Sequence, residues 1–400
     1  MAVHRFFETE GFEFATLMAL GAAPYGMSEV GEVFATAARI TDADADSWFD
    51  EWTALGERCR AQAEACEVAG HVVSARWLYL RASFYMGTGF FYVLATSDPG
   101  RELGAWRRHR DCFDRAMALW ATPVEAVAIP YEGTSLQGYF FSGGGGERPL
   151  LIATNGSDGT VTDMLGAGVL DAVDRGYHVL VYDGPGQGQA LYEQGLPFRY
   201  DWEAVVTPIV DWAVGRADVD ASRVALCGWS QAGYWVPRAA AFEHRLAAIM
   251  VDPGVVSVGE SWTRHLPPQM LQMLDAGQAA EFDAYMAEGM KQMPGIALEA
   301  AKRLEPYRTN SLAEVIVELR KWDLTDAAGQ VTAPTWISSP DDEQFWPGQS
   351  QRLFDLLTGV DNKVVVPFTA AEGANWHCEP VAPRIRAQRM LDWLGEVVGP

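Results

Sequence analysis

Hydrophobic positions follow two different rhythms along the chain. From about residue 1 to 122 apolar side chains recur at three- and four-residue intervals, as in Trp48, Trp52 and Leu55 and again in Trp77, Leu80 and Phe84, the spacing of an amphipathic helix. Ser47, with Asp50 and Glu51 close behind it, predicts a helix start just before Trp48. The first 122 residues are therefore expected to form a helical N-terminal lobe.

The second rhythm begins at Val124. Residues 124–130 and 136–141 read as short strands, with Glu132-Gly133-Thr134 as the turn between them and Gly143 to Gly146 as the next turn. Those four glycines share the composition of a phosphate loop, but no Lys-Ser/Thr follows and no helix opens there, so a flexible connection is expected. Short apolar runs follow at 150–154, 178–183, 224–227, 247–252, 335–338 and 363–368, the earlier ones separated by helix-length stretches. Unalternated apolar strands interleaved with helices predict an α/β core around a mostly parallel, buried sheet. A helical, Met-rich stretch over about 256–325, with Met270, Met273, Met286, Met290 and Met293, interrupts the alternation. It is expected to form a cap insertion, which splits the core into 123–255 and 326–400.

Composition narrows the partners. With 49% hydrophobic and 21% charged residues the chain is expected to fold throughout, and 30 Lys plus Arg against 53 Asp plus Glu give a formal charge of −23. Such a field repels phosphate backbones and anionic lipid, so no nucleic acid or membrane partner is expected. The start of the chain, Met1 to Glu8, lacks a basic stretch followed by a long apolar run, and no apolar segment reaches the roughly 18 residues needed to span a bilayer. The five cysteines, Cys59, Cys66, Cys112, Cys227 and Cys378, form no CxxC pair, which points to a reduced, cytoplasmic protein without a metal site. Cys378 is expected to be a small buried side chain rather than a nucleophile.

The chemistry centres on Gly228-Trp229-Ser230-Gln231-Ala232-Gly233, which follows an apolar strand and precedes a helix. A Gly-x-Ser-x-small turn in that setting is the nucleophile elbow of α/β-hydrolases, with Ala232 replacing the usual Gly. A serine hydroxyl needs a histidine to take its proton and a carboxylate to fix the histidine tautomer. Three histidines follow Ser230. His244 is expected just inside the next helix in a surface role, His265 falls in the expected cap, and His377 lies in a loop after the last strand, where the base is expected. The acid is expected in Pro340-Asp341-Asp342-Glu343-Gln344. Asp342 is the choice because Asp is the commoner partner, Glu343 is favoured by counting from Pro334, and Asp341 remains open. Backbone N–H groups of Gln231, and of Ser157 in Asn155-Gly156-Ser157-Asp158-Gly159, are expected to bind the oxyanion. Asp183-Gly184-Pro185-Gly186-Gln187-Gly188 shares glycines with a dinucleotide loop, but its proline and the lack of an immediate helix favour a turn beside the site, so no cofactor is expected.

These motifs, together with Phe345-Trp346-Pro347-Gly348-Gln349 and Ser74 to Ser83, resemble the α/β-hydrolase group of fermentation-respiration switch esterases, 2,6-dihydroxypseudooxynicotine hydrolase and fungal pigment-pathway polyketide-shortening hydrolases. The resemblance spans roughly 45 to 390. It implies a helical lobe over the active site, a Ser-Asp-His triad and often a homodimer. Asn155 and Ser157 depart from the Gly or aromatic residues usual in the first loop of that group, which points to a different pocket. The expected function is hydrolysis of an ester or an activated carbon–carbon bond in a small, fairly apolar metabolite. A serine peptidase or acyltransferase is the enzymatic alternative, and a non-catalytic ligand-binding receptor the alternative of another class. Phe84, Tyr85, Met270 and Met273 are expected to line the substrate pocket, where helical lobes meet a core.

Overall fold

The structure, a computed structural model, describes residues 5–399. The first four residues of the segment in which no secretory signal is expected lie outside the described residues. Eight strands form one sheet: β1 (Val124–Tyr131), β2 (Thr134–Phe141), β3 (Arg148–Thr154), β4 (His178–Tyr182), β5 (Val219–Trp229), β6 (Ala248–Asp252), β7 (Thr335–Pro340) and β8 (Lys363–Phe368). Their order is β1-β2-β4-β3-β5-β6-β7-β8. β2 lies antiparallel to β4, and every pairing from β4 through β8 is parallel. Every residue of β4 and β6 is buried, which is why their sequences show no polar alternation. The fold is that of an α/β-hydrolase, as the sequence predicts.

Register sets the position of the loops that matter. Thr154 pairs with Gly228 and Trp229 pairs with Asp252, so β3, β5 and β6 end level with one another. The chain segments that begin at Asn155, Ser230 and Pro253 leave the sheet at the same C-terminal edge, the edge at which open α/β sheets bind ligands.

Two compact units are present, one built from residues 1–124 and 284–305 and the other from 125–283 and 306–400. In the first, the helix Ala45–Val68 starts earlier than expected. Its N-cap is Asp44, whose carboxylate accepts from the Ser47 N–H at 3.0 Å, a stronger acceptor placement than a serine inside the first turn provides. Phe12, Trp48 and Tyr92 form the aromatic centre of this unit, with Phe12 and Tyr92 rings 4.3 and 5.6 Å from Trp48.

The expected cap is not a body of its own. Residues 284–305 cluster with the N-terminal helices, where the Tyr92 hydroxyl donates to Glu299 Oε1 at 2.8 Å and Lys302 Nζ lies 4.7 Å from the Phe91 ring centre. The rest of 256–325 clusters with the sheet, and there Asp283 accepts from Ser311 Oγ at 2.6 Å and from the Ala313 N–H at 2.9 Å. In the helix Pro268–Asp275, Met270 is buried and Met273 half-buried. Among the described residues no helix is long and apolar enough to cross a membrane.

Tyr85 was expected at the substrate wall, but its hydroxyl is committed inside the helical unit. It donates to Glu32 Oε2 and accepts from the Glu29 N–H, both at 2.7 Å, and its fully buried ring stacks 5.9 Å from Trp52. Phe84 is half-buried beside it, ring centres 6.4 Å apart. Tyr85→Phe leaves the part-buried Glu29 N–H and Glu32 carboxylate without this partner, so chemical denaturation should show a loss of about 0.5–1.5 kcal/mol. A variant as stable as the parent would show that this hydroxyl does not hold the helices.

Candidate active site

Ser230 sits directly after β5 with φ of 56°, a left-handed conformation that non-glycine residues adopt at a cost of about 1–3 kcal/mol. The turn survives because the surroundings over-determine it. Its N–H donates to the Asp252 carbonyl at 2.6 Å, and the helix Ala232–Ala240 starts at once. A Cβ on Gly233 would stand 2.0 Å from the Pro253 carbonyl oxygen, and one on Gly228 would stand 2.7 Å from Ala232 Cβ. Glycine is therefore required at 228 and 233, whereas position 232 accommodates alanine.

His377 lies in the loop after β8 and brings Nε2 to 2.9 Å from Ser230 Oγ. Its backbone N–H donates to Gln344 Oε1 at 2.9 Å, and its ring packs against Phe345 and Trp346, centres 4.6 and 5.7 Å away. The other two candidate histidines, His244 and His265, are exposed.

The carboxylate on His377 Nδ1 is Glu343, at 3.0 Å through Oε1 and 2.9 Å through Oε2, and not Asp342. A backbone bridge between Asp342 and Trp376 explains the difference. Successive side chains of an extended segment point to opposite faces, so Asp342 turns outward, where it accepts from Asn375 Nδ2 at 2.6 Å, and Glu343 turns in. Asp341 is exposed. The His377 and Glu343 side chains are only 4% and 6% exposed, so water competes little for the contact. Burial works to raise the Glu343 pKa. The His377 charge and hydrogen bond, with the Trp346 and Phe345 N–H groups, outweigh it and hold the carboxyl below its ordinary range.

The loop after β3 closes the other side of Ser230. Gly156 lies so near that a Cβ there would stand 2.7 Å from Ser230 Cβ. Asn155 Oδ1 accepts from the Gly156 N–H and its Nδ2 donates to the Thr160 carbonyl, each at 2.7 Å. Ser157 follows half-buried, Asp158 is exposed, and Gln231 is buried at the start of the helix after Ser230. The glycine-rich turn after β4 braces this loop. Asp183 accepts from the Val161 and Gln189 N–H groups at 2.9 and 3.0 Å, and Gln187 Nε2 donates to the Asn155 and Gly156 carbonyls.

Sequence reasoning missed a buried group behind the elbow. Arg386, on the helix Pro383–Val398, donates through Nη1 to the Cys378 carbonyl at 2.5 Å and to Asp252 Oδ2 at 3.2 Å. Asp252 also accepts from Ser338 Oγ, and Cys378 Sγ donates to the Asp252 carbonyl at 3.2 Å. One guanidinium thus joins the strand end that holds Ser230 to the loop that carries His377. Burial, followed by the nearby Asp252 charge, pushes both the Cys378 thiol and the Glu379 carboxyl well above their ordinary values. Cys378 therefore keeps its proton, and a Glu379 biased toward its protonated form leaves Arg386 to balance Asp252. The only signal in the sequence was an aspartate ending an apolar strand and an arginine on the apolar face of the last helix. Among the described residues no cluster of His, Cys, Asp and Glu could hold a metal ion.

A model of the alpha/beta hydrolase family matches residues 151–390. The chain belongs to that family. This alpha/beta hydrolase is 30% identical to hydrolase LUC6 of a Fusarium species over 99% of both chains. It is 34% identical to 20-hydroxy-prefusarin hydrolase FUS2 of Gibberella moniliformis over 98% of its own length and 97% of that protein. Among solved structures it is similar to 2,6-dihydroxy-pseudo-oxynicotine hydrolase, with a TM-score of 0.74 at 20% identity, covering 94% of this chain and 95% of that one.

Removing one partner of a buried ion pair leaves the other charge uncompensated. Arg386→Met in this hydrolase should therefore lower unfolding stability by about 3–5 kcal/mol in chemical denaturation. A loss below about 1 kcal/mol, the scale of an exposed pair, would contradict the structural weight given to Arg386.

Proposed function

We propose that this hydrolase cleaves an ester, or a carbon–carbon bond next to a carbonyl, in a small, fairly apolar metabolite, with Ser230 as nucleophile, His377 as general base and Glu343 as the acid that orients it. The observation that carries this reading is the continuous line from Glu343 through His377 Nδ1 and Nε2 to Ser230 Oγ, with each link between 2.9 and 3.0 Å. With the imidazole proton on Nδ1, held by Glu343, Nε2 is left to accept the serine proton.

Ser230 Oγ adds to the substrate carbonyl while its proton passes to His377 Nε2, and the ionised Glu343 stabilises the imidazolium. The N–H groups of Gln231 and Ser157 face the developing oxyanion. An alkoxide leaving group departs with the proton from His377. A carbanion leaving group takes the same proton but must also be delocalised into an adjoining ketone or ring. Water activated by His377 then releases the acyl group from Ser230. That FUS2 acts on a discrete compound, 20-hydroxy-prefusarin, supports a small-molecule substrate here. A receptor that only binds has no use for a serine held in a strained turn against a buried histidine, which weighs against the non-catalytic reading.

Acyl esters and β-diketones screened against the purified enzyme, with product masses determined, will separate ester from carbon–carbon cleavage. On the best substrate, Ser230→Ala should lose at least about 10⁴-fold in kcat while remaining folded. Glu343→Gln should lose at least about a hundredfold by disturbing the histidine tautomer, and Asp342→Asn should stay within about threefold of the parent. Greater damage from Asp342→Asn than from Glu343→Gln would overturn the assignment of the acid, and an active Ser230→Ala enzyme would overturn the mechanism.

A further inference from the structure

The glycine-rich turn after β4 holds one side chain whose amide hydrogen bonds all point at the active-site loop or at its own turn. Gln187 is 2% exposed. Its Nε2 donates to the carbonyl oxygens of Asn155 and Gly156, both at 2.7 Å, and its Oε1 accepts from the Gly184 N–H at 3.0 Å. The amide orientation is fixed by its partners, since the flipped amide would set its oxygen against two carbonyl oxygens. Gly184 belongs to the same turn as Gln187, so the bracket is anchored on β4 and reaches across to the loop after β3.

A planar trans peptide holds its C=O and N–H on opposite sides. Fixing the Gly156 carbonyl toward Gln187 therefore turns the Ser157 N–H away from Gln187. The Gly156 N–H, one peptide earlier, is already taken by Asn155 Oδ1 at 2.7 Å. Gly156 itself abuts Ser230, with space for no Cβ between them. Glycine at 156 also has little steric preference of its own, so the direction of this peptide must be imposed from outside.

Resting on the reading of Ser230 as nucleophile, we propose that Gln187 is a positioning residue for oxyanion stabilisation. By pinning the Asn155 and Gly156 carbonyls it aims the Ser157 N–H at the oxygen of the substrate carbonyl attacked by Ser230. Gln187 touches neither substrate nor Ser230. Its effect runs through one peptide plane, so its loss should weaken a hydrogen bond to the oxyanion and leave the proton relay through His377 unchanged.

Paired p-nitrophenyl oxoester and thionoester substrates test this, because the thionoester sulfur is a weak hydrogen-bond acceptor and draws little on the oxyanion donors. Gln187→Met removes donor and acceptor, whereas Gln187→Glu keeps an acceptor for the Gly184 N–H and sets a carboxylate oxygen against the Asn155 and Gly156 carbonyls in place of the donor. Both variants should lower kcat/KM for the oxoester by about tenfold or more, mainly through kcat, approaching the loss seen on deleting an oxyanion donor. The thionoester rate should stay within about threefold of the parent, which reports an intact relay and fold in the same sample. An unchanged oxoester-to-thionoester ratio, with or without a common loss of both rates, would overturn the proposal and leave Gln187 a structural brace. Should one variant fail to fold, the other decides by the same ratio. A parent enzyme inert toward both esters and unlabelled at Ser230 would instead overturn the nucleophile reading beneath it.

Discussion

The hydrogen bond from the Ser230 N–H to the Asp252 carbonyl is the constraint on which the rest of the site depends. At 2.6 Å it ties a left-handed serine to the end of the neighbouring strand, so that serine's position is set by the sheet register rather than by a free loop. The same residue carries that function into the opposite half of the site. Its carboxylate is gripped by Arg386, whose guanidinium also holds the carbonyl of Cys378, the residue next to His377. Serine and histidine, 147 residues apart in the chain, are therefore referenced to one buried aspartate. A distance of 2.9 Å between Ser230 Oγ and His377 Nε2 is the outcome of those two attachments.

Buried carboxyls around this centre are pushed in opposite directions by their partners. Glu343 is desolvated but answered by His377 and two N–H groups, so it stays ionised and can hold an imidazolium. Glu379 is also desolvated, faces the Asp252 charge and has the shared Arg386 guanidinium at 3.7 Å, so its carboxyl is pushed well above the ordinary value. Two carboxyls near one histidine loop thus serve different purposes, one electrostatic and one a filler in a charge-balanced interior.

Much of this was legible in the sequence for identifiable reasons. Strands buried on both faces leave unbroken apolar runs, and the elbow needs small residues at fixed offsets, so the sheet and the candidate turn at Ser230 could be read directly. His377 followed from chain order. The carboxylate that meets His377 did not, because Asp342 and Glu343 differ in which face of an extended segment they occupy, and that depends on the pairing of Asp342 with Trp376. The division of 256–325 was equally hidden. Periodicity marks helices, but it does not reveal that residues 284–305 settle against the first helices through Glu299 and Lys302. Ser47 misplaced a helix start by three residues because Asp44 offered the better acceptor.

The central claim is that this strained, relayed serine is the residue that forms a covalent bond with substrate. Fluorophosphonates trap such a serine because they react at phosphorus in the geometry of acyl transfer. Incubating the native enzyme with a fluorophosphonate, digesting it and mapping the adduct by mass spectrometry tests the claim in one step. A single adduct is expected on Ser230, formed at a rate that collapses in the His377→Ala variant. An adduct on any other residue, or an unlabelled Ser230 in folded protein, would contradict it.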